Sequence, residues 1–186
     1  MATATRKTTT RKAPARPATS GSTGPEATAL LRADHKRVSA LFEQYEGTRS
    51  AAKKKTLVST ICLELSVHAQ VEEEIFYPAV KAALKDKEMV PEATIEHATL
   101  KELIAQVKDK EPDGEMFDAK IKVMSEYVKH HVKEEQNEMF PKARKTRLDM
   151  NALGAQMAAR KEELLASPEL LEAPPVPASP AMAATA

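Results

Sequence analysis

Four stretches of this chain carry apolar residues at alternating steps of three and four, and each stripe is interrupted by a histidine. Such steps put the side chains on one face of an α-helix. The first helix is predicted from about Glu26 to Glu46, ending at Gly47, with Leu31, His35, Val38, Phe42 and Tyr45 inward. The second spans about Ala51 to Leu84 and turns Leu57, Ile61, Leu65, His68, Glu72, Ile75 and Ala79 the same way. A third opens at Pro91, carries Ala93, His97, Leu100, Ile104 and Val107, and stops before Pro112-Asp113-Gly114. The fourth runs from about Glu115 to Lys142 with Phe117, Ile121, Met124, Val128, His131 and Glu135 in line. Short connections make neighbouring helices antiparallel. The expectation is an all-α fold: an antiparallel up-down four-helix bundle over residues 26–145. A shorter helix within 146–166, Met150 to Ala166, packs on it through Leu153, Met157 and Leu164.

Punctuation agrees with this division. Pro78, Pro91, Pro112 and Pro141 fall where helices start, stop or kink. Gly is scarce and Trp absent among the 186 residues, which favours helix over sheet. The single Cys62 excludes an intrachain disulfide and points to a reducing compartment. No apolar run approaches the roughly 20 residues of a membrane span, and the N-terminus lacks the apolar core of a secretory signal. A soluble, cytoplasmic protein with no membrane partner is therefore expected. Residues 1–25, rich in Thr, Ala, Pro and Ser with five cations and no acid before Pro25, read as a disordered basic tail. Residues 167–186, with five prolines, read as a second flexible tail. The stretch between has 23 cations and 25 acids, so nucleic acid is expected to bind, if at all, only weakly through the first tail.

The histidines carry the chemistry. His35, His68, His97 and His131 occupy inward positions that would otherwise be apolar, together with Glu72 and Glu135. Burying them would cost several kcal/mol unless each found a partner, and a metal supplies one. The pattern is duplicated. His68 is followed by Glu72 at +4 and Pro78 at +10, and His131 by Glu135 at +4 and Pro141 at +10. His35 precedes His68 by 33 residues and His97 precedes His131 by 34, each just after an acid, Asp34 or Glu96. Residues four apart are neighbours on a helix face, so each His–Glu pair can converge on one metal or span two. Four imidazoles and two carboxylates without a thiolate suit iron, manganese or zinc. Six side chains cannot fill two octahedral spheres, which leaves positions for water, oxygen or peroxide.

These residues resemble the hemerythrin or HHE cation-binding family. The likeness is carried by His35, "HAQVEEEIFYP" from His68, His97, and "HVKEEQNEMFP" from His131, over roughly residues 28–145. It implies a four-helix bundle with a carboxylate-bridged pair of non-haem irons. His35, His68, Glu72, His97, His131 and Glu135 would be the ligands, with Glu72 and Glu135 as bridges. Lys101 and Gln136 stand where the oxygen-carrying members have a second histidine and an aspartate. The likeness is thus to the broader HHE group and does not imply reversible oxygen carriage.

Around this set the surroundings are expected to be ordinary. His130 lies one residue off the stripe, at a boundary or surface position or as a supporting ligand. Glu73 and Glu134 belong to a solvated face, or orient an imidazole; Tyr127 and Cys62 pack in the core. Three functions fit: binding or sensing of oxygen, nitric oxide or reactive oxygen species at an open iron site; catalase-like or peroxidase-like removal of hydrogen peroxide; and iron storage or an interaction module.

Overall fold

The computed structural model describes residues 24–85 and 88–171. The expectations for residues 1–23 and 172–186 lie outside it. Among the described residues there are helices and no strands. They are α1 (Ala27–Gly47), α2 (Ala51–Val71), α3 (Tyr77–Leu84), α4 (Met89–Val107), α5 (Glu115–Glu134), α6 (Phe140–Arg144) and α7 (Met150–Ala166). Polar side chains start three of them. Glu26 accepts from the Thr28 amide, Ser50 from that of Lys53, and Asp149 from those of Asn151 and Ala152. Gly114 precedes α5 at φ +140°, a conformation that side-chain-bearing residues rarely adopt. Residues 167–171, read from sequence as tail, include a 3-10 turn at Pro168–Leu170, whose Leu170 carbonyl accepts from Gln70.

α2 passes into α3, and α5 into α6, through one π-helical turn each, Glu72–Phe76 and Glu135–Met139. The Tyr77 amide bonds to the Glu72 carbonyl and the Phe140 amide to that of Glu135, five residues back rather than four. The cause is in the sequence. Pro78 and Pro141 have no amide hydrogen, and their rings would strike the carbonyl four residues earlier. Widening the turn by one residue removes that conflict without ending the helix. It also shifts the inward face. On the second helix the expected Ile75 and Ala79 are only half-buried, while Phe76, Tyr77 and Val80 are fully enclosed. That part of the stripe is corrected by one residue.

Two apolar clusters make the core. One gathers Leu31, Val71, Phe76, Val90, Phe140 and Met157; the other gathers Phe42, Ile61, Leu65, Leu100, Ile121 and Val128. Along α1 the first cluster precedes the second, along α2 and α3 the order reverses, and it alternates again through α4 and α5–α6. This alternation defines an up-down antiparallel bundle. His35, His68, Glu72, His97, His131 and Glu135, on α1, α2, α4, α5 and the two π turns, fall between the clusters, so a polar layer divides the core. Cys62 is buried in the second cluster, and burial pushes its thiol up to about 12. No described helix is long and apolar enough to cross a membrane.

α7 packs on α1 and α2. Its close approach depends on Gly154, where a Cβ would lie 2.2 Å from the Pro25 carbonyl oxygen and 2.8 Å from the Ala27 nitrogen. Gly154→Ala would gain about 1 kcal/mol of helix propensity but force α7 off the start of α1, an overpacking cost of about 3 kcal/mol. A net loss of about 2 kcal/mol is expected in urea unfolding, and unchanged stability would contradict the close packing.

Candidate metal centre

The four histidines of the polar layer turn their Nε2 atoms toward one another. His35 Nε2 lies 3.1 Å from His68 Nε2, and His97 Nε2 lies 3.2 Å from His131 Nε2. The carboxylates join the two pairs crosswise. Glu72 Oε2 is 3.2 Å from His68 Nε2 and 3.4 Å from His97 Nε2. Glu135 Oε2 is 3.3 Å from His35 Nε2 and 3.6 Å from His131 Nε2. Each carboxylate thus spans one imidazole from each half, the arrangement a bridge between two ions needs. Neighbouring ligands about 2.1 Å from one ion sit ~3.0 Å apart at a right angle, close to these separations.

All six residues are buried, with Glu72 and Glu135 nearly inaccessible. Glu72 Oε1 and Glu135 Oε2 make no hydrogen bond, although buried polar atoms are almost always satisfied. A cation is the partner that suits them. The residues able to hold one fall in two overlapping groups, His35, His68, Glu72 and Glu135 in the first and Glu72, His97 and His131 in the second.

Electrostatics reflect the crowding. Burial, with the charge of Glu135 beside it, raises the Glu72 carboxyl well above its ordinary range. Burial works against ionised Glu135 too, yet the imidazoles of His131, His35 and His68 hold it below the ordinary carboxylate range. Burial lowers His68 to about 4, against the opposing pull of Asp34. It lowers His97 as well, whereas at His131 the charges of Glu135 and Glu96 outweigh burial and raise the imidazole.

Behind each imidazole stands a group from a neighbouring helix. His68 Nδ1 is 3.6 Å from Asp34 Oδ2, His97 Nδ1 is 3.0 Å from Glu73 Oε1, and His131 Nδ1 is 2.6 Å from Glu96 Oε2. A carboxylate there favours the Nδ1–H tautomer and leaves the Nε2 lone pair facing inward. His35 differs: its Nδ1 lies 2.9 Å from the Gln136 amide nitrogen, and Arg32 donates to that amide's oxygen at 2.8 Å. Each supporting residue is adjacent in sequence to a residue of the central six, yet it serves the histidine of another helix. Glu73 therefore orients an imidazole, and Lys101 bonds its other oxygen at 2.7 Å. Glu134 pairs with the exposed His130. α7 joins the ring where Lys161 binds Asp34.

Tyr77 is the site residue to which the sequence pattern assigned no role. Its hydroxyl donates to Glu135 Oε1 at 2.9 Å and lies 3.3 Å from Glu72 Oε2 and 3.2 Å from His97 Nε2. It stands five residues after Glu72, off an α-helical stripe, and the π turn brings it inward. The duplicated motif held the signal: the matching position after Glu135 is Phe140, which stacks on His35 instead.

Fold and centre together define a helical-bundle protein with a histidine–carboxylate cluster able to bind metal. The chain belongs to the hemerythrin HHE cation binding domain family, whose model matches residues 26–143. A DNA nickase from Nostoc sp. is 27% identical over 111 residues, covering 60% of this chain and 31% of that protein. The chain thus spans under a third of that relative's length. A hemerythrin HHE cation binding domain-containing protein from Mycobacterium kansasii has a similar fold. Its TM-score is 0.65 at 22% identity, over 77% of this chain and 89% of that one.

The unequal carboxylates lead to a test on metal-stripped protein. Glu72, pushed toward its neutral form, tolerates Glu72→Gln with a stability change within about 1 kcal/mol. Glu135 is the ionised partner of the imidazoles, and Glu135→Gln is expected to cost about 3 kcal/mol. Urea unfolding in a chelator reads both; equal losses would contradict this division of charge.

Proposed function

We propose that the chain holds two non-haem iron ions, with His35, His68, Glu72, His97, His131 and Glu135 as ligands, and binds oxygen, nitric oxide or a peroxide there. The observation that carries this reading is a cavity of about 20 Å³ against the cluster, lined by all four histidines. Val38, Leu65, Leu100, Val128 and Val132 form its apolar walls, with Asp34, Glu96 and Tyr127 beside them. That volume is little more than a water needs, so a diatomic or peroxide-sized molecule fits and a metabolite does not. Bound iron would supply an exchangeable coordination position and a change of oxidation state.

The chain's own residues do the rest. Glu72 and Glu135 span the halves and neutralise cationic charge that the apolar walls cannot. Glu73 and Glu96 hold two imidazoles with Nε2 inward, and Asp34 faces a third at 3.6 Å. Leu65, Leu100 and Val128 keep water scarce around whatever occupies the cavity, which strengthens its interaction with the charged groups.

Hydrogen peroxide removal at the same centre is a second reading, favoured by Tyr77. Its hydroxyl donates to Glu135 Oε1, and burial beside two carboxylates raises the phenol well above its ordinary range, so the proton stays on Tyr77. Tyr77 thus holds a proton at the junction of the two halves, where a bound peroxide would need one.

Metal-stripped full-length protein, loaded anaerobically with ferrous iron, is expected to retain two irons per chain. Near-ultraviolet absorption should develop in air, and a distinct spectrum with nitric oxide. His68→Ala and His131→Ala should each lose iron; retention of no iron by the wild type would refute the reading. Val128→Phe fills the cavity and should keep both irons while slowing nitric oxide binding by at least about tenfold. Tyr77→Phe should keep iron and air-induced absorption but lose peroxide clearance. Undiminished clearance would remove the proton-holding role.

A further inference from the structure

A second cavity, of about 70 Å³, opens between α4 and the end of α5. His131 and Glu135 line it on the buried side, and Glu92, Glu96, Glu134 and Glu138 line it toward the surface. Each outer acid lies one or two helical turns from its neighbour, so their charges sum over one short passage. Glu138 is partly offset by Lys142 at 3.7 Å. At the rim, His130 Nε2 lies 3.2 Å from Glu134 Oε1 and 3.8 Å from Glu96 Oε1.

We propose that Glu96, His130 and Glu134 form an outer divalent-cation site, a station on the way to the inner pair. Three ligand atoms, one from each residue, lie within 4.8 Å of one another. An ion about 2.1 Å from each would draw them together by a few tenths of an ångström. One imidazole and two carboxylates form a donor set that takes ferrous iron, manganese or zinc. The inner end of the passage is the central cluster itself, where Glu135 lies buried with its Oε2 3.3 Å from His35 Nε2. Glu96 links the stations, because its Oε2 holds His131 Nδ1 at 2.6 Å while its Oε1 faces His130. An ion resting outside therefore shares a carboxylate with the support of an inner ligand. The acids beyond it repel anions and concentrate cations at the mouth, which raises the rate of capture.

The transit role rests on the inner cluster being a metal centre, but the outer site is read separately. Metal-stripped full-length protein is titrated anaerobically with cobalt(II), counting ions per chain and following inner loading by stopped-flow absorbance. The wild type should bind two ions tightly and a third weakly. His130→Ala/Glu134→Gln should bind two, lose the third, reach the same final spectrum and load about tenfold more slowly. His68→Ala/His131→Ala should keep the outer ion alone. A double variant at 130 and 134 with the wild-type count and loading rate would overturn the outer site and leave the inner reading intact. A wild type that binds only the weak ion would overturn the inner reading and the transit role while supporting the outer site.

Discussion

Glu72 and Glu135 lie side by side in the middle of the bundle, shut off from water, with four imidazoles around them. Everything else in the molecule is arranged about the cost of keeping them there. Two carboxylates in an apolar interior repel each other and lack the hydration that would make either charge tolerable. The metal-free chain meets this by proton sharing: Glu72 is pushed toward the neutral form, Glu135 stays ionised against the imidazoles, and Tyr77 donates to it. A cation does the same job more completely, because its charge satisfies both carboxylates and the inward nitrogen lone pairs together. Two apolar clusters, one on either side, enclose the layer.

The duplicated sequence sets a nearly symmetrical frame, and its departures from symmetry are informative. Both halves carry the histidine, the glutamate and the π turn forced by proline. They differ where Tyr77 answers Phe140 and where Glu73 answers Gln136. One half therefore gains a phenol hydroxyl and a carboxylate behind His97. The other has a stacked phenyl ring and an arginine-held amide behind His35. The two halves share a histidine–carboxylate set in outline but not in its surroundings, so they differ in polarity and in the basicity of one imidazole.

The helices and the six central residues were legible because an α-helical period of three and four carries them from His35 to Glu135. Inward histidines stand out against an apolar stripe, and their repetition separates a cluster from a chance polar residue. What the period could not show follows from where it fails. Past Glu72 the π turn moves the inward face by one residue, so Phe76 and Val80 took the places expected for Ile75 and Ala79, and Tyr77 turned inward with them. The supporting ring was hidden for a different reason. Asp34, Glu73, Glu96 and Gln136 adjoin central residues in the chain but act on imidazoles of other helices. Only the packing of helix against helix reveals such a partnership.

The contact from Lys161 to Asp34 changes where the working unit ends. The family pattern closes at residue 143, yet a lysine 18 residues beyond it holds the carboxylate that faces His68. The seventh helix is thus tied to the centre rather than an appendage. Whatever pulls that helix away would strip Asp34 of its ammonium partner and change the charge that His68 faces.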